Sequence, residues 1–239
     1  MHLDPYRATA SEIARIADLL RGLSLEVVIE TGARYLLDPR AKHEPTLMTR
    51  EAGGRERRIA FYRRAAEIGR DLGARVLSFW SGIDRSPGPD SPMLLEDGIR
   101  RVADVVRDLG LLASVEPEPG MALETTADFL AIEKRVPGLG LTLDVGHLLA
   151  RWEGEPADVV ARARPYLAQV HLEDMRRGVH EHLPPGDGEI DFSRVLGPLF
   201  ASDYPGPICY ELSRSSHAGA VFVKTCAEHF RRLRSSLAG

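Results

Sequence analysis

The sequence predicts one α/β domain built as a (β/α) barrel of the TIM type. Three observations predict it. Short apolar runs alternate with amphipathic helical stretches along the 239-residue chain. The runs are continuously apolar, as strands buried on both faces of a parallel sheet are. Carboxylates and imidazoles stand at the ends of the later runs, where parallel strands would gather them on one face.

The strand candidates are Glu26–Thr31, Arg75–Ser81, Leu111–Glu116, Leu139–Asp144, Ala168–Glu173 and Pro207–Leu212, each bounded by Gly, Pro or charge. Between them, apolar residues recur with the 3.6-residue helical period. That period covers Glu12–Leu23, Arg57–Leu72, Leu94–Leu109, Thr125–Arg135, Pro156–Arg164, Phe192–Phe200 and Ala218–Leu233. Gly73, Gly110 and Gly138 stand where C-terminal helix caps are expected. Six strands fall short of the eight of a closed barrel. An open doubly wound sheet would need only six, but it predicts a Gly-rich phosphate loop after an early strand. Thr31-Gly32-Ala33-Arg34-Tyr35 is not such a loop. The expectation is therefore one domain over 1–239, a barrel lacking its usual first β-α-β segment. The exposed edges of Glu26–Thr31 and Pro207–Leu212 would then invite pairing with another chain, and a homo-oligomer is expected.

Composition narrows the function. Hydrophobic residues make up 44% and charged residues 28% of the chain, the balance of a globular protein with a sizeable core. The net charge of -4 argues against a nucleic-acid partner, whose binders carry a basic face. No apolar stretch approaches the ~20 residues that span a bilayer. Met1-His2-Leu3-Asp4-Pro5 has neither the basic nor the apolar region of a secretory signal. Cys209 and Cys226 read as buried thiols, and a cytoplasmic location is expected.

Glu116, Asp144, His171 and Glu211 end four of the apolar runs, spaced 28, 27 and 40 residues apart (116 to 144, 144 to 171, 171 to 211). Each spacing is about one β-α unit, so each strand offers one residue at the same level. A charged group at the end of an apolar strand is costly to bury unpaired. Three carboxylates in one place would repel, and a bound dication removes the repulsion. An oxygen-rich set suits Mn²⁺ first, with Mg²⁺, Co²⁺ or Zn²⁺ as alternatives. The blander reading makes each residue a helix cap or an arginine partner.

The ordered segments VEPEPG, TLDVGH, VHLEDM and YELS, with HLPPGDGEIDF, resemble the xylose-isomerase-like barrel superfamily of sugar isomerases, epimerases and related dehydratases. The resemblance is clear from about Ser78 to Ser213 and looser elsewhere. It implies that Glu116, Asp144, His171 and Glu211 are metal ligands and that His147 contacts substrate. It further implies that Glu116 and Glu211 act as an acid/base pair on opposite faces of the substrate carbon. Such chemistry removes a proton beside a carbonyl through an enediolate, whose negative charge a dication stabilises.

Other residues carry two readings. Trp80 either stacks on a sugar or packs in the core. Glu118 is a partner behind the ligands, a substrate contact or a surface charge. His182 lines the pocket, whereas His180 reads as solvated. Asp174 orients a ligand or, the favoured reading, caps a loop. Gly186 and Gly188 supply unusual backbone angles, and Asp191 caps a helix. Arg34, Lys42 and His43 form a polar loop that is either solvated or holds an anion. His217 and His229 have no special placement.

The function expected is a divalent-metal-dependent isomerase or epimerase of a small sugar or sugar derivative, with a related dehydratase as a close variant. The alternatives are a metal-binding but inactive barrel and a metal-dependent endonuclease of the same fold. Endonucleases of that kind use several zinc ions and more strand-end histidines, and the acidic net charge disfavours that reading.

Overall fold

The computed structural model describes residues 2–237. They gather into two compact units. The first takes the chain up to Glu116 with Gly120–Leu123 and Asp128–Gly140; the second takes Pro117–Pro119, Glu124–Ala127 and the chain from Leu141.

The first unit runs α1 (Ala10–Gly22), β1 (Val28–Glu30), α2 (Ala52–Leu72), β2 (Val76–Phe79), α3 (Ser91–Asp108), β3 (Leu112–Val115) and most of α4 (Thr126–Glu133). Its strands pair in chain order and in parallel, with Glu30 level with Ser78 and Phe79 level with Val115. Helix α1 begins two residues before the apolar period shows it. The reason is Thr9, whose hydroxyl accepts from the N–H of Glu12 at 3.2 Å and caps the first turn. Ile13, Ile16 and Ala17 of α1 bury against Ile68 and Leu72 of α2, with Val27 and Ile29 packed on the same cluster. Each such aliphatic side chain contributes about 1.5–3 kcal/mol by leaving water. Helix α2 also starts early, at Ala52, because Gly53, Gly54 and Arg55 carry no apolar period.

The second unit holds β4 (Gly140–Asp144) except its first residue, α5 (Val145–Ala150), α6 (Pro156–Ala163), β5 (Leu167–Leu172), α7 (Phe192–Ala201), β6 (Ile208–Tyr210) and α8 (Gly219–Leu237). Its strands are again parallel and sequential. Asp144 lies level with His171, and His171 level with Cys209. Helix α7 starts where expected, with Asp191 accepting from the N–H groups of Ser193 and Arg194.

The six expected strands are the six among the described residues. Four readings need correction. Helix α5 was not expected; at six residues it is too short to show a period. Gly73 and Gly110 do close helices at positive φ, but Gly138 lies five residues beyond the end of α4 and serves a turn. Cys226 is buried as expected, whereas Cys209 on β6 is only partly covered. Gly186 has a positive φ of 100°, but Gly188 is needed for space: a Cβ there would lie 2.3 Å from Asp174 Oδ1.

Candidate metal centre

Register places the site. Asp144 ends β4 beside His171 on β5. Glu211 follows β6 two residues after Cys209, so its side chain leaves the sheet on the same face as the residue level with His171. Asp144, His171 and Glu211 each offer a ligand atom within 4.8 Å of the others. The structure therefore brings together three of the four strand-end residues within the second unit.

Each has its geometry set by neighbours. Asp144 caps α5: its Oδ1 accepts from the N–H groups of Gly146 at 2.7 Å and His147 at 3.1 Å. Its Oδ2 is buried and makes no hydrogen bond among the described residues. A buried carboxylate oxygen left over in this way is costly unless a positive group meets it. The Gln169 amide lies 3.1 Å from Nε2 of His171, leaving Nδ1 as the inward atom, 2.9 Å from Oε2 of Glu211. Burial opposes ionisation of Glu211, but the His171 hydrogen bond and the charges of His171, His182 and His147 outweigh it and hold the carboxyl below its usual range. Two carboxylates and an imidazole with one unengaged oxygen suit a hard or borderline dication, so the donor set fits the expected cation.

Glu116 belongs to the first unit and is 2% exposed. Its N–H donates to Phe79 at 3.0 Å, and Trp80 Nε1 donates to its Oε2 at 2.7 Å. Trp80 therefore holds a carboxylate and meets the His43 ring edge-on at 5.3 Å, which neither sequence reading of it foresaw. His43 is correspondingly packed, while Arg34 and Lys42 remain exposed.

The loop after β5 brings further histidines. His182 Nδ1 bonds the fully buried Glu173. His180 was read as solvated; instead it is half-buried, with its ring 5.0 Å from that of His147 and 5.3 Å from that of His182. Burial, then the neighbouring His147 and His182, lowers its pKa to about 4. Burial also lowers that of His182. Glu118 Oε2 lies 3.5 Å from His147 Nε2 and its Oε1 3.8 Å from His180 Nε2, so Glu118 is no surface charge. Asp174 pins the loop, accepting from Met175, Gly186 and Ile190 N–H groups at 2.8–3.0 Å. His229, given no role by the sequence, bonds the Tyr210 hydroxyl at 2.7 Å and packs on Phe192.

Comparison with known proteins bears on the family and the fold. The L-ribulose-5-phosphate 3-epimerase UlaE of Shigella flexneri serotype 5b (strain 8401) is 24% identical over 210 residues, covering 84% of this chain and 73% of that protein. UlaE of Escherichia coli (strain K12) is 24% identical over 194 residues, covering 79% and 68%. A xylose isomerase domain protein from Planctomyces limnophilus superposes with a TM-score of 0.76 at 18% identity, covering 98% of this chain and 86% of that one. A D-tagatose 3-epimerase-like protein does so with 0.74 at 20% identity, covering 96% and 86%. At such identities the solved structures speak for the fold alone. A family profile described as xylose isomerase-like TIM barrel matches residues 2–233. With its parallel strands and its acidic and histidine strand ends, the chain belongs to the xylose isomerase-like TIM-barrel family.

Proposed function

We propose that the protein is a divalent-metal-dependent isomerase or epimerase of a sugar or sugar derivative. The observation that carries the proposal is the convergence of Asp144, His171 and Glu211, with one buried Asp144 oxygen unengaged, on a chain of this family. The two UlaE relatives are named as 3-epimerases of L-ribulose 5-phosphate. Inverting carbon 3 of a 2-ketose requires a proton to leave a carbon beside a carbonyl and return on the other face.

Glu116 is the proposed fourth ligand. It directly precedes Pro117–Pro119 of the second unit, and Trp80 fixes one of its oxygens. Glu116 and Glu211 are the proposed acid/base pair, one taking the proton and the other returning it. The His171 contact keeps Glu211 ionised, as a base must be. When bound, a divalent cation, Mn²⁺ first and Mg²⁺, Co²⁺ or Zn²⁺ otherwise, supplies positive charge against the substrate oxygen and the clustered carboxylates. His147, His182, Trp80 and Glu118 are the proposed substrate-side residues. One domain over 1–239, a cytoplasmic location and self-association through sheet edges belong to the same reading.

The test measures metal content and turnover of a ketose panel, for wild type and Glu211→Gln purified without chelator. The variant should lose about one equivalent of metal and slow turnover by about 10²-fold or more. Absence of metal even after reconstitution, or no turnover of any ketose by the metal-loaded protein, sinks the reading.

A further inference from the structure

Within the first unit, the bond from Trp80 to Glu116 has a brace behind it. Trp80 follows directly on β2, and its Nε1 donates to Glu116 Oε2 at 2.7 Å. Two other residues hold Trp80. The Tyr62 hydroxyl, on α2, donates to the Trp80 carbonyl oxygen at 3.2 Å. The His43 ring meets the indole edge-on at 5.3 Å. The buried Tyr62 ring also meets Phe79, the last residue of β2, at 5.5 Å. Burial raises the Tyr62 pKa against the lowering charge of Arg58, so the hydroxyl keeps its hydrogen and donates.

Both holds lead back to Arg58, one turn before Tyr62 on α2. Arg58 is 1% exposed and makes no ion pair among the described residues. Its Nε is buried and makes no hydrogen bond there. The guanidinium stacks at 4.7 Å over the Tyr62 ring and at 5.2 Å over the Phe61 ring. Its Nη1 donates to the His43 carbonyl oxygen at 3.4 Å. A buried cation without a carboxylate is costly, and stacking offsets only part of that cost. An apolar side chain of the same length would fill the space at less expense. What it would not do is tie Tyr62 and His43, the two residues that hold Trp80, to each other.

We propose that Tyr62, with Arg58 behind it, is a positioning residue for Glu116 and acts through Trp80. The inference rests on the proposed acid/base role of Glu116. Tyr62 and Arg58 make no hydrogen bond to that carboxylate; they set where the indole N–H points. A proton-moving carboxylate works only in a narrow range of positions, and a displacement of about 1 Å costs about 10²-fold in rate.

The test uses Trp152→Phe as the background, which leaves Trp80 as the single tryptophan. Into it go Tyr62→Phe, Arg58→Met, Trp80→Phe and the pair Tyr62→Phe with Trp80→Phe. Tyr62→Phe removes one hydroxyl and keeps the ring under Arg58. Each protein is loaded with Mn²⁺ and given the ketose of the panel that wild type turns over fastest. Tyr62→Phe and Arg58→Met should each lower kcat about 3- to 10-fold and leave KM within about twofold. Trp80→Phe should lower kcat further, and adding Tyr62→Phe to it should cost nothing more, because the bond being positioned is already gone. A role in folding alone would lower denaturant midpoints and leave kcat unchanged, which overturns the proposal. So does a double variant in which the two losses multiply. Trp80 emission reads the brace without turnover. Tyr62→Phe and Arg58→Met should shift it and raise its quenching by acrylamide, and unchanged emission and quenching in both overturn the proposal. A protein that turns over no ketose sinks the functional reading instead, and the emission of Trp80 then decides the brace alone.

Discussion

The carboxylate of Asp144 divides its work between two oxygens. Oδ1 caps α5, whereas Oδ2 is buried and makes no hydrogen bond among the described residues. The two tasks separate by substitution. Asp144→Asn keeps a capping oxygen and should stay within about 0.5 kcal/mol of wild type, whereas Asp144→Ala should lose about 1–2 kcal/mol. Both should lose strand-end metal. Denaturant midpoints beside metal counts check this, and equal stability of the two variants would show that the cap contributes nothing. His43 supplies a pH dependence. Burial, followed by the charges of Lys42, Arg58 and Arg34, lowers its pKa from 6.5 to about 4. Its Nδ1 also accepts from the Arg34 N–H at 3.1 Å, which needs the unprotonated atom. The unfolded chain binds this proton near pH 6.5 and the folded chain does not. The stabilisation is therefore present in full above pH 6.5 and is lost as pH falls to about 4. Because the ring is half-buried, it is worth about 1 kcal/mol. Urea midpoints between pH 7 and pH 4.5 should fall less steeply for His43→Gln; parallel curves would clear His43 of the effect.

At the scale of elements, strands and loops carry different shares of the site. The strand ends were legible in the sequence because one residue recurs per β-α unit: Asp144, His171 and Glu211 stand at the positions expected. Helices α1 and α2 were legible by period, but their starts were not. Thr9 caps through a side chain and Gly53–Arg55 are polar or bare, and neither leaves an apolar signal. His180 was misjudged and Glu118 left open between readings because they sit on loops, where no periodicity ties a residue to a place in space. The only hint was their nearness in sequence to Glu116 and His182. The loop after β5 depends on close contact at its base. Gly188→Ala would set a Cβ 2.3 Å from Asp174 Oδ1 and 2.6 Å from the Met175 nitrogen. It should destabilise by about 1–3 kcal/mol and speed amide exchange over residues 174–190. Unchanged exchange there would mean that the loop is held elsewhere. In the first unit, Ile68→Ala empties the seam between α1 and α2 and should cost about 2–4 kcal/mol.

For the molecule as a whole, the formal charge of -4 sets long-range behaviour, while the apolar surface sets association. No described helix is long and apolar enough to cross a membrane. Within the second unit, β6 and α8 border a largely apolar cavity of about 450 Å³, lined among others by Tyr210, Phe222, Cys226 and Phe230. On α8, Val221 and Val223 are 64% and 72% exposed. Apolar surface beside a sheet edge favours self-association. Light scattering should show a mass that rises with concentration and rises less for Val223→Glu; a constant monomer mass would remove the expectation. The loop after β5 has a different significance. Asp174 secures it at its root through three backbone N–H groups, none of them from residues 176–182, where His180 and His182 stand. Its tip can change over generations while its root keeps the same path. New side chains there would be presented to the same spot, and lineages carrying them could diverge in what they accept without first having to solve the folding problem again.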